Sequence, residues 1–287
     1  MTRPDGAWPT ATTTLVGVMG DPVAHSLSPL LHNTAFAALG LDWASVGFTI
    51  RPGEVTGALK AIAALGFAGM SVTMPHKAEV AAGVDERTTV AERLGAVNCV
   101  IVRSGRLIGE NTDGAGFLAS LRRGAGFEPT GRRCLVIGAG GAARAVTLAL
   151  AEAGAHEVVV VNRNPQRAEA AAALGGSGGR VGSPGEAAGM DLVVNATPAG
   201  MAGTPEAALT PAVDPATLGS GQVVADLIYH PARTVWLTAA AEAGASVVGG
   251  LGMLVHQAEA QLEAWTGLEP PVAVLWAAAQ SAVADRS

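Results

Sequence analysis

The segment Ser71-Val-Thr73-Met-Pro-His-Lys77 sets a lysine directly after a strand-like run. A desolvated lysine can release and regain a proton near neutral pH, which a guanidinium cannot. The chain holds 16 arginines and only two lysines, Lys60 and Lys77. Lys60 falls on a helical surface, whereas Lys77 stands at a strand end and suggests acid/base chemistry. Asn111-Thr-Asp113-Gly, at another strand-to-helix turn, offers a carboxylate to orient the ammonium. Asp113 equally suits an N-cap of the helix Gly114–Ala125. A third loop, Asp21-Pro-Val-Ala-His-Ser26-Leu-Ser28-Pro29, puts two hydroxyls at a helix N-terminus, a place suited to a substrate carboxylate. Ser28-Pro29 reads there as N-cap and first-turn proline, and Gly40 ends the helix.

A second chemistry is written in Cys134-Leu-Val-Ile137, which runs into Gly138-Ala139-Gly140-Gly141-Ala142-Ala143 and then a helix from Arg144 to Ala153. This is G-x-G-x-x-A between strand and helix. Gly138 permits the tight turn, Gly140 lets backbone approach a pyrophosphate, and Ala143 allows close helix–strand packing. The next strand ends at Asn162, where NAD-binding folds usually carry a carboxylate for the ribose 2′-hydroxyl. Asn162-Arg163-Asn-Pro-Gln-Arg167 has no carboxylate to repel a 2′-phosphate and sets two guanidiniums four residues apart, which favours NADP. Hydride transfer to or from a carbinol needs a proton carrier. Tyr-x-x-x-Lys is absent, because the single tyrosine is Tyr229 and position 233 is Arg233. Two cysteines and six scattered histidines supply no ligand-spaced cluster, so no metal is expected and the histidines read as structural or surface residues.

These residues need elements to hold them. The 287 residues are 49% hydrophobic and 15% charged, with a net charge of −6 that carries no footprint for nucleic acid. Despite a mean hydropathy of +0.35, Glu152, Glu157, Asp191 and Glu242 interrupt the apolar stretches before a membrane span accumulates. Met1–Thr14 lacks an apolar signal-peptide core and reads as a loose tail. Cys99 and Cys134 lie in apolar runs, as buried thiols of a reducing cytoplasm would. Strands are expected at Leu15–Met19, Ala44–Thr49, Gly69–Thr73, Ala96–Val102, Cys134–Ile137, Val158–Val161, Leu192–Asn195, Val223–Leu227 and Ser246–Val248. Helical stretches between them imply βαβ units, an α/β class and a mostly parallel sheet. A break at Gly124–Arg133 separates two domains, and helices at Met253–Trp265 and Val272–Ala284 follow the last strand with no further strand to join. Gly175–Gly185 reads as a flexible surface loop by composition.

From Leu15 to Ala279 the chain resembles the shikimate dehydrogenase family. The motifs GDPVAHSLSP, SVTMPHK, GAVN, ENTDG, GAGGAARA, NR with Arg167, NATPAGM, DLIYHP and GLGMLVHQ follow one another in family order. The resemblance implies a substrate-binding domain over 1–116, to which 253–287 return, and an NADP-binding Rossmann domain over 117–252. It implies reversible NADPH-dependent reduction of 3-dehydroshikimate to shikimate in aromatic amino acid biosynthesis, by a cytoplasmic monomer or homodimer with no nucleic-acid or membrane partner. By motif, Lys77 is the acid/base and Asp113 its partner. Ser26 and Ser28 hold the carboxylate, and Thr73, Asn98, Asp113, Tyr229 and Gln257 contact substrate. Gly138, Ala139, Gly140, Gly141, Ala142, Asn162, Arg163 and Arg167 match the NADP site, with Thr197, Leu227 and Gly250 on the nicotinamide side. Ser71 departs from the asparagine that family members often carry, and its shorter hydroxyl offers fewer hydrogen bonds. The alternatives are a quinate or aminoshikimate dehydrogenase, with another substrate or NAD preference, and a non-catalytic dinucleotide sensor, which would be expected to lose Lys77 or Asp113.

Overall fold

A computed structural model describes residues 8–203 and 210–284. Residues 1–7 of the expected N-terminal tail and residues 285–287 of the C-terminal segment lie outside them. The chain divides into two compact units, Met1–Thr112 with Gln257–Ala282, and Asp113–His256 with Val283–Ser287.

The first unit carries β1 (Thr14–Gly20), α1 (Ser28–Ala38), β2 (Trp43–Thr49), α2 (Val55–Ala64), β3 (Gly69–Val72), α3 (Lys77–Gly83), β4 (Glu86–Arg87), α4 (Thr89–Leu94), β5 (Cys99–Arg103) and β6 (Arg106–Glu110). Its sheet runs β2-β1-β3-β5-β6-β4. The first three strands are parallel, while β5 is antiparallel to both β3 and β6. The expected strand Ala96–Val102 is therefore half of a hairpin. It starts at Cys99 and turns through Ser104 (φ 50°) and Gly105 (φ 77°). Positive φ at both central residues is the geometry whose twist matches the flanking strands. Met19, Leu59, Ile62, Met70, Val72, Val80 and Val100 form the core on one face, each large aliphatic group contributing roughly 1.5–3 kcal/mol by burial. Ser28 is not the N-cap of α1. Leu27 holds that position without a side-chain cap, and Ser26 Oγ instead accepts from the Ser28 amide at 3.2 Å.

The second unit carries α5 (Asp113–Ala125), β7 (Arg133–Ile137), α6 (Gly141–Glu152), β8 (Glu157–Val161), α7 (Pro165–Ala172), β9 (Gly179–Val181), β10 (Leu192–Asn195), β11 (Val223–Asp226), α8 (Val235–Glu242) and β12 (Ser246–Val248). All pairings are parallel, in the order β9-β8-β7-β10-β11-β12. Counted within the unit this is 3-2-1-4-5-6, the doubly wound dinucleotide order, whose strand order reverses between β7 and β10. Alternate residues feed opposite faces: Cys134 and Val136 pack with Phe117, Leu121 and Leu150, while Leu135 and Ile137 pack with Trp236 and Leu237. Burial on both faces explains why these strands read as unbroken apolar runs.

The Gly175–Gly185 stretch is not a loose loop. Two 3-10 turns, Ala173–Gly178 and Pro184–Gly189, flank the edge strand β9. Arg180 anchors it by donating to Glu157 and Glu186, each at 2.6 Å. Two further helices, α9 (Leu251–Thr266) and α10 (Val272–Ala284), close the chain, and Gln257–Ala282 pack as part of the first unit. Among the described residues no helix is long and apolar enough to cross a membrane.

Candidate active site

In the first unit the candidate residues gather at one end of the sheet, because β1 and β3 are parallel neighbours and β5 enters beside them from the opposite direction. The loop after β1 carries Ser26 and leads into Ser28 at the start of α1, and the loop after β3 carries Thr73 and leads into Lys77 at the start of α3. Asp21 N donates to Met74 O at 3.0 Å, and Thr73 N to Met19 O at 2.9 Å, so the two loops are bonded together. Asn98 leads into β5 at this same end, its carbonyl accepting from Val72 N at 2.8 Å. His76 is buried, and its Nε2 donates to Ile50 O at 2.6 Å, which ties down the residue before Lys77. Lys77 opens α3 half-buried, and its own carbonyl accepts from Val97 N at 2.9 Å.

Buried amides connect this end of the sheet to α9. Asn98 Nδ2 donates to Thr112 Oγ1 at 3.0 Å, and Asn98 Oδ1 accepts from Thr112 N at 2.8 Å. Thr112 Oγ1 in turn donates to the Gln257 carbonyl at 3.1 Å. Asn98 and Gln257, 159 positions apart in sequence, are thereby held in one network. Ser28, Asn98 and Gln257 are all buried, while Ser26 and Thr73 are partly exposed.

The second unit holds the other candidates at the C-terminal ends of its strands. Gly138 sits at φ 118°, and a Cβ there would meet Ala196 O at 2.9 Å, so only glycine makes this turn without strain. Gly140 is the N-cap of α6, and a Cβ on Gly140 or Gly141 would meet nothing within 4 Å. α6 therefore starts at Gly141, three residues earlier than expected, and presents open backbone amides. Beyond β8, Asn162 Nδ2 donates to Asn164 O at 3.0 Å, and Asn164 caps α7 through the Arg167 amide at 2.9 Å. Arg163 and Arg167 are exposed. An open amide cradle followed by two solvent-facing guanidiniums and no carboxylate fits a dinucleotide with a 2′-phosphate. Gly250 packs so closely on Leu227 that a side chain would strike its carbonyl. Tyr229 follows in the same loop, partly buried, and Asp113 is buried at the start of α5.

Two residues of the quoted motifs without a role in the sequence reading do much of the positioning here. Asp226, 1% exposed, accepts from Asn195 Nδ2 (3.0 Å), Ile228 N (3.1 Å) and Thr234 Oγ1 (2.7 Å). Burial raises its carboxyl above the usual range, with these bonds pulling against it. Asn195 Oδ1 accepts from both the amide and hydroxyl of Thr197, at 3.1 and 2.7 Å. The signal was their position, at the last residue of β10 and of β11. The cysteines are structural, since both are buried and free, and desolvation pushes the Cys134 thiol up to about 12. Among the described residues no group of three or more His, Cys, Asp or Glu side chains could hold a metal ion.

An all-parallel 3-2-1-4-5-6 sheet with an open glycine turn defines a dinucleotide-binding protein, and the other unit's cluster of hydroxyl, amide and ammonium groups suits a small polar substrate. Comparison with known proteins narrows this class. Residues 18–100 match the shikimate dehydrogenase substrate binding domain, and residues 250–280 the shikimate 5'-dehydrogenase C-terminal domain. Residues 133–212 match a domain described as NADP oxidoreductase coenzyme F420-dependent. The NADP(+) shikimate dehydrogenase of Moorella thermoacetica is 46% identical over 92% of both chains, and that of Methanopyrus kandleri is 43% identical over 92% of this chain and 94% of its own. A shikimate dehydrogenase solved with NADP+ superposes with a TM-score of 0.91 at 36% identity, covering 98% of this chain and 99% of its own. The chain belongs to the shikimate dehydrogenase family.

Proposed function

We propose that the chain catalyses the reversible, NADPH-dependent reduction of 3-dehydroshikimate to shikimate, a step of aromatic amino acid biosynthesis, in the cytoplasm and as a monomer or homodimer. The observation that carries this reading is the convergence of Ser26, Ser28, Thr73, Lys77, Asn98 and Gln257 on one end of the first unit's sheet. We assign substrate binding to residues 1–116 with 253–287, and NADP binding to residues 117–252.

In this reading Ser26 and Ser28 take the substrate carboxylate, and Thr73, Asn98, Tyr229 and Gln257 take its ring oxygens. The Gly138–Ala142 turn would hold the pyrophosphate, Asn162, Arg163 and Arg167 the 2′-phosphate ribose, and Thr197, Leu227 and Gly250 the nicotinamide side. When bound, the reduced nicotinamide supplies the hydride. Lys77, as ammonium, donates the proton to the oxygen that becomes the C3 hydroxyl and takes it back in the oxidative direction. Asp113 is its carboxylate partner and a hydrogen-bond acceptor for a neighbouring substrate hydroxyl.

The test is a spectrophotometric grid of shikimate and quinate against NADP+ and NAD+, in which shikimate with NADP+ should give the highest kcat/KM. Quinate with NAD+ leading that grid would overturn the reading. Lys77→Ala should lower kcat about 10²-fold or more with little change in substrate affinity. Near-normal turnover in that variant would remove the lysine from the mechanism.

A further inference from the structure

Gln261 and His32 are completely buried in the first unit, and neither has a role in the reaction described so far. Gln261 lies one helical turn after Gln257 on α9. Its Nε2 donates to Asn98 O at 3.1 Å and to Gln257 Oε1 at 2.9 Å. A backbone carbonyl can only accept, so the first bond settles which end of the Gln261 amide faces Asn98. With both amide hydrogens committed, Gln261 Oε1 requires a donor from another element, and it is a buried atom without a well-formed bond. His32 Nε2, on α1, is in the same condition, and Gln261 is the side chain that interacts with the His32 ring. Each atom is the complement the other lacks.

The ring is held from its far side as well. His32 Nδ1 is 3.0 Å from Ser45 Oγ on β2. Its edge packs against Trp265, with centroids 5.0 Å apart, and Trp265 is itself pinned by an Nε1 bond to Val100 O at 3.0 Å. Burial drives the imidazole down to about 3, so it is neutral wherever the enzyme works and one nitrogen alone carries a proton. The acceptor at Gln261 selects Nε2 as that nitrogen, leaving Nδ1 to accept from the Ser45 hydroxyl.

We propose that His32 and Gln261 are positioning residues that fix Gln257 as a hydrogen-bond donor to the substrate, through a one-way chain from the Ser45 hydroxyl to His32, from His32 Nε2–H to Gln261 Oε1, and from Gln261 Nε2–H to Gln257 Oε1. This rests on the reading of Gln257 as a substrate contact. Because Gln257 Oε1 is engaged by Gln261, rotating the Gln257 amide would set two NH2 groups against each other, so its nitrogen is turned away from Gln261. In that reading a ring oxygen of the substrate accepts from this nitrogen.

The experiment combines steady-state kinetics with imidazole NMR. Gln257→Ala, Gln261→Leu and His32→Phe should each raise the shikimate KM roughly five- to tenfold, leaving kcat and the NADP+ KM within about twofold. In the Gln257→Ala background His32→Phe should add nothing further to KM, because it acts only through Gln257. 15N NMR of the wild-type enzyme should show His32 as the neutral Nε2–H tautomer, unchanged from pH 5 to 8, which keeps the test open if a variant fails to fold. An Nδ1–H tautomer, or additive KM effects in the double variant, would overturn the chain of positioning. A Gln257→Ala enzyme with unchanged shikimate KM would overturn the assignment of Gln257 itself, and this inference with it. A rise for Gln257→Ala but not for the other two would overturn this inference alone.

Discussion

Cofactor choice rests on single residues. At the end of β8 the side chain of Asn162 turns onto Asn164 O, and Asn164 serves the start of α7, so no acid stands where one would repel a 2′-phosphate. Arg163 and Arg167 remain exposed on the first turn beyond the strand. Guanidiniums bind phosphate by charge-assisted, often paired hydrogen bonds, and both should act only when the phosphate is present. Replacing Arg163 and Arg167 together with alanine is expected to raise the NADPH KM about 10- to 100-fold while changing the NADH KM less than threefold. Steady-state titration of both cofactors checks this, and equal losses for the two would show that the arginines do not read the phosphate. These residues were legible in sequence because a motif fixes their distance from Gly138. Gln261 and His32 were not, since a buried glutamine in a helix looks like any solvent-facing one until its partner, 163 positions away, is known.

At the level of elements, Asp226 shows how one carboxylate organises three of them. It ends β11, receives Asn195 from the end of β10 and binds Thr234, the N-cap of α8. Asp226→Ala would strand three buried donors and release Thr197, which leans on Asn195. The expected cost is about 3 kcal/mol of stability, with a raised NADP+ KM. Asp226→Asn keeps an acceptor for Asn195 and Ile228 and removes a charge whose burial is unfavourable, so its loss should be below about 1 kcal/mol. Thermal unfolding of both variants orders them, and an asparagine variant as unstable as alanine would show that the charge itself is required. The elements around this junction were readable because apolar runs buried on two faces leave little ambiguity. The elements that escaped were short or bounded by charge. β4 has two residues, β9 three, and β6 opens and closes on charged residues, Arg106 and Glu110, so none presents the unbroken apolar run that marked the others. Glycine content suggested a loop where pairing with β8 and the Arg180 ion pairs impose a strand.

For the whole molecule, the shifted groups divide unequally between the two units, and this gives them different responses to acid. His32 belongs to the first unit, with its pKa lowered by burial from 6.5 to about 3. A base whose folded pKa is depressed binds fewer protons in the folded state, so it contributes stability that is fully present above pH 6.5 and lost as pH falls towards 3. The loss approaches one proton's worth per pH unit, or roughly 3 kcal/mol by pH 4.5. Among the described residues of the second unit the groups held low are carboxylates. Its Glu157 and Glu186 are held below their usual range by Arg180, and their contribution is lost only as pH falls below about 4.5. Buried Asp226 has the opposite sign: its raised pKa costs stability as pH rises through the folded value, so acidification relieves the second unit. Between pH 6.5 and 4.5 the first unit should therefore lose hydrogen-exchange protection while the second keeps its own, once intrinsic exchange rates are corrected. His32→Phe, whatever it costs at pH 7.5, should flatten the first unit's slope over that range by close to one proton. Equal acid slopes in the two units, or a slope unchanged by His32→Phe, would mean that the buried imidazole does not set the acid limit of the fold.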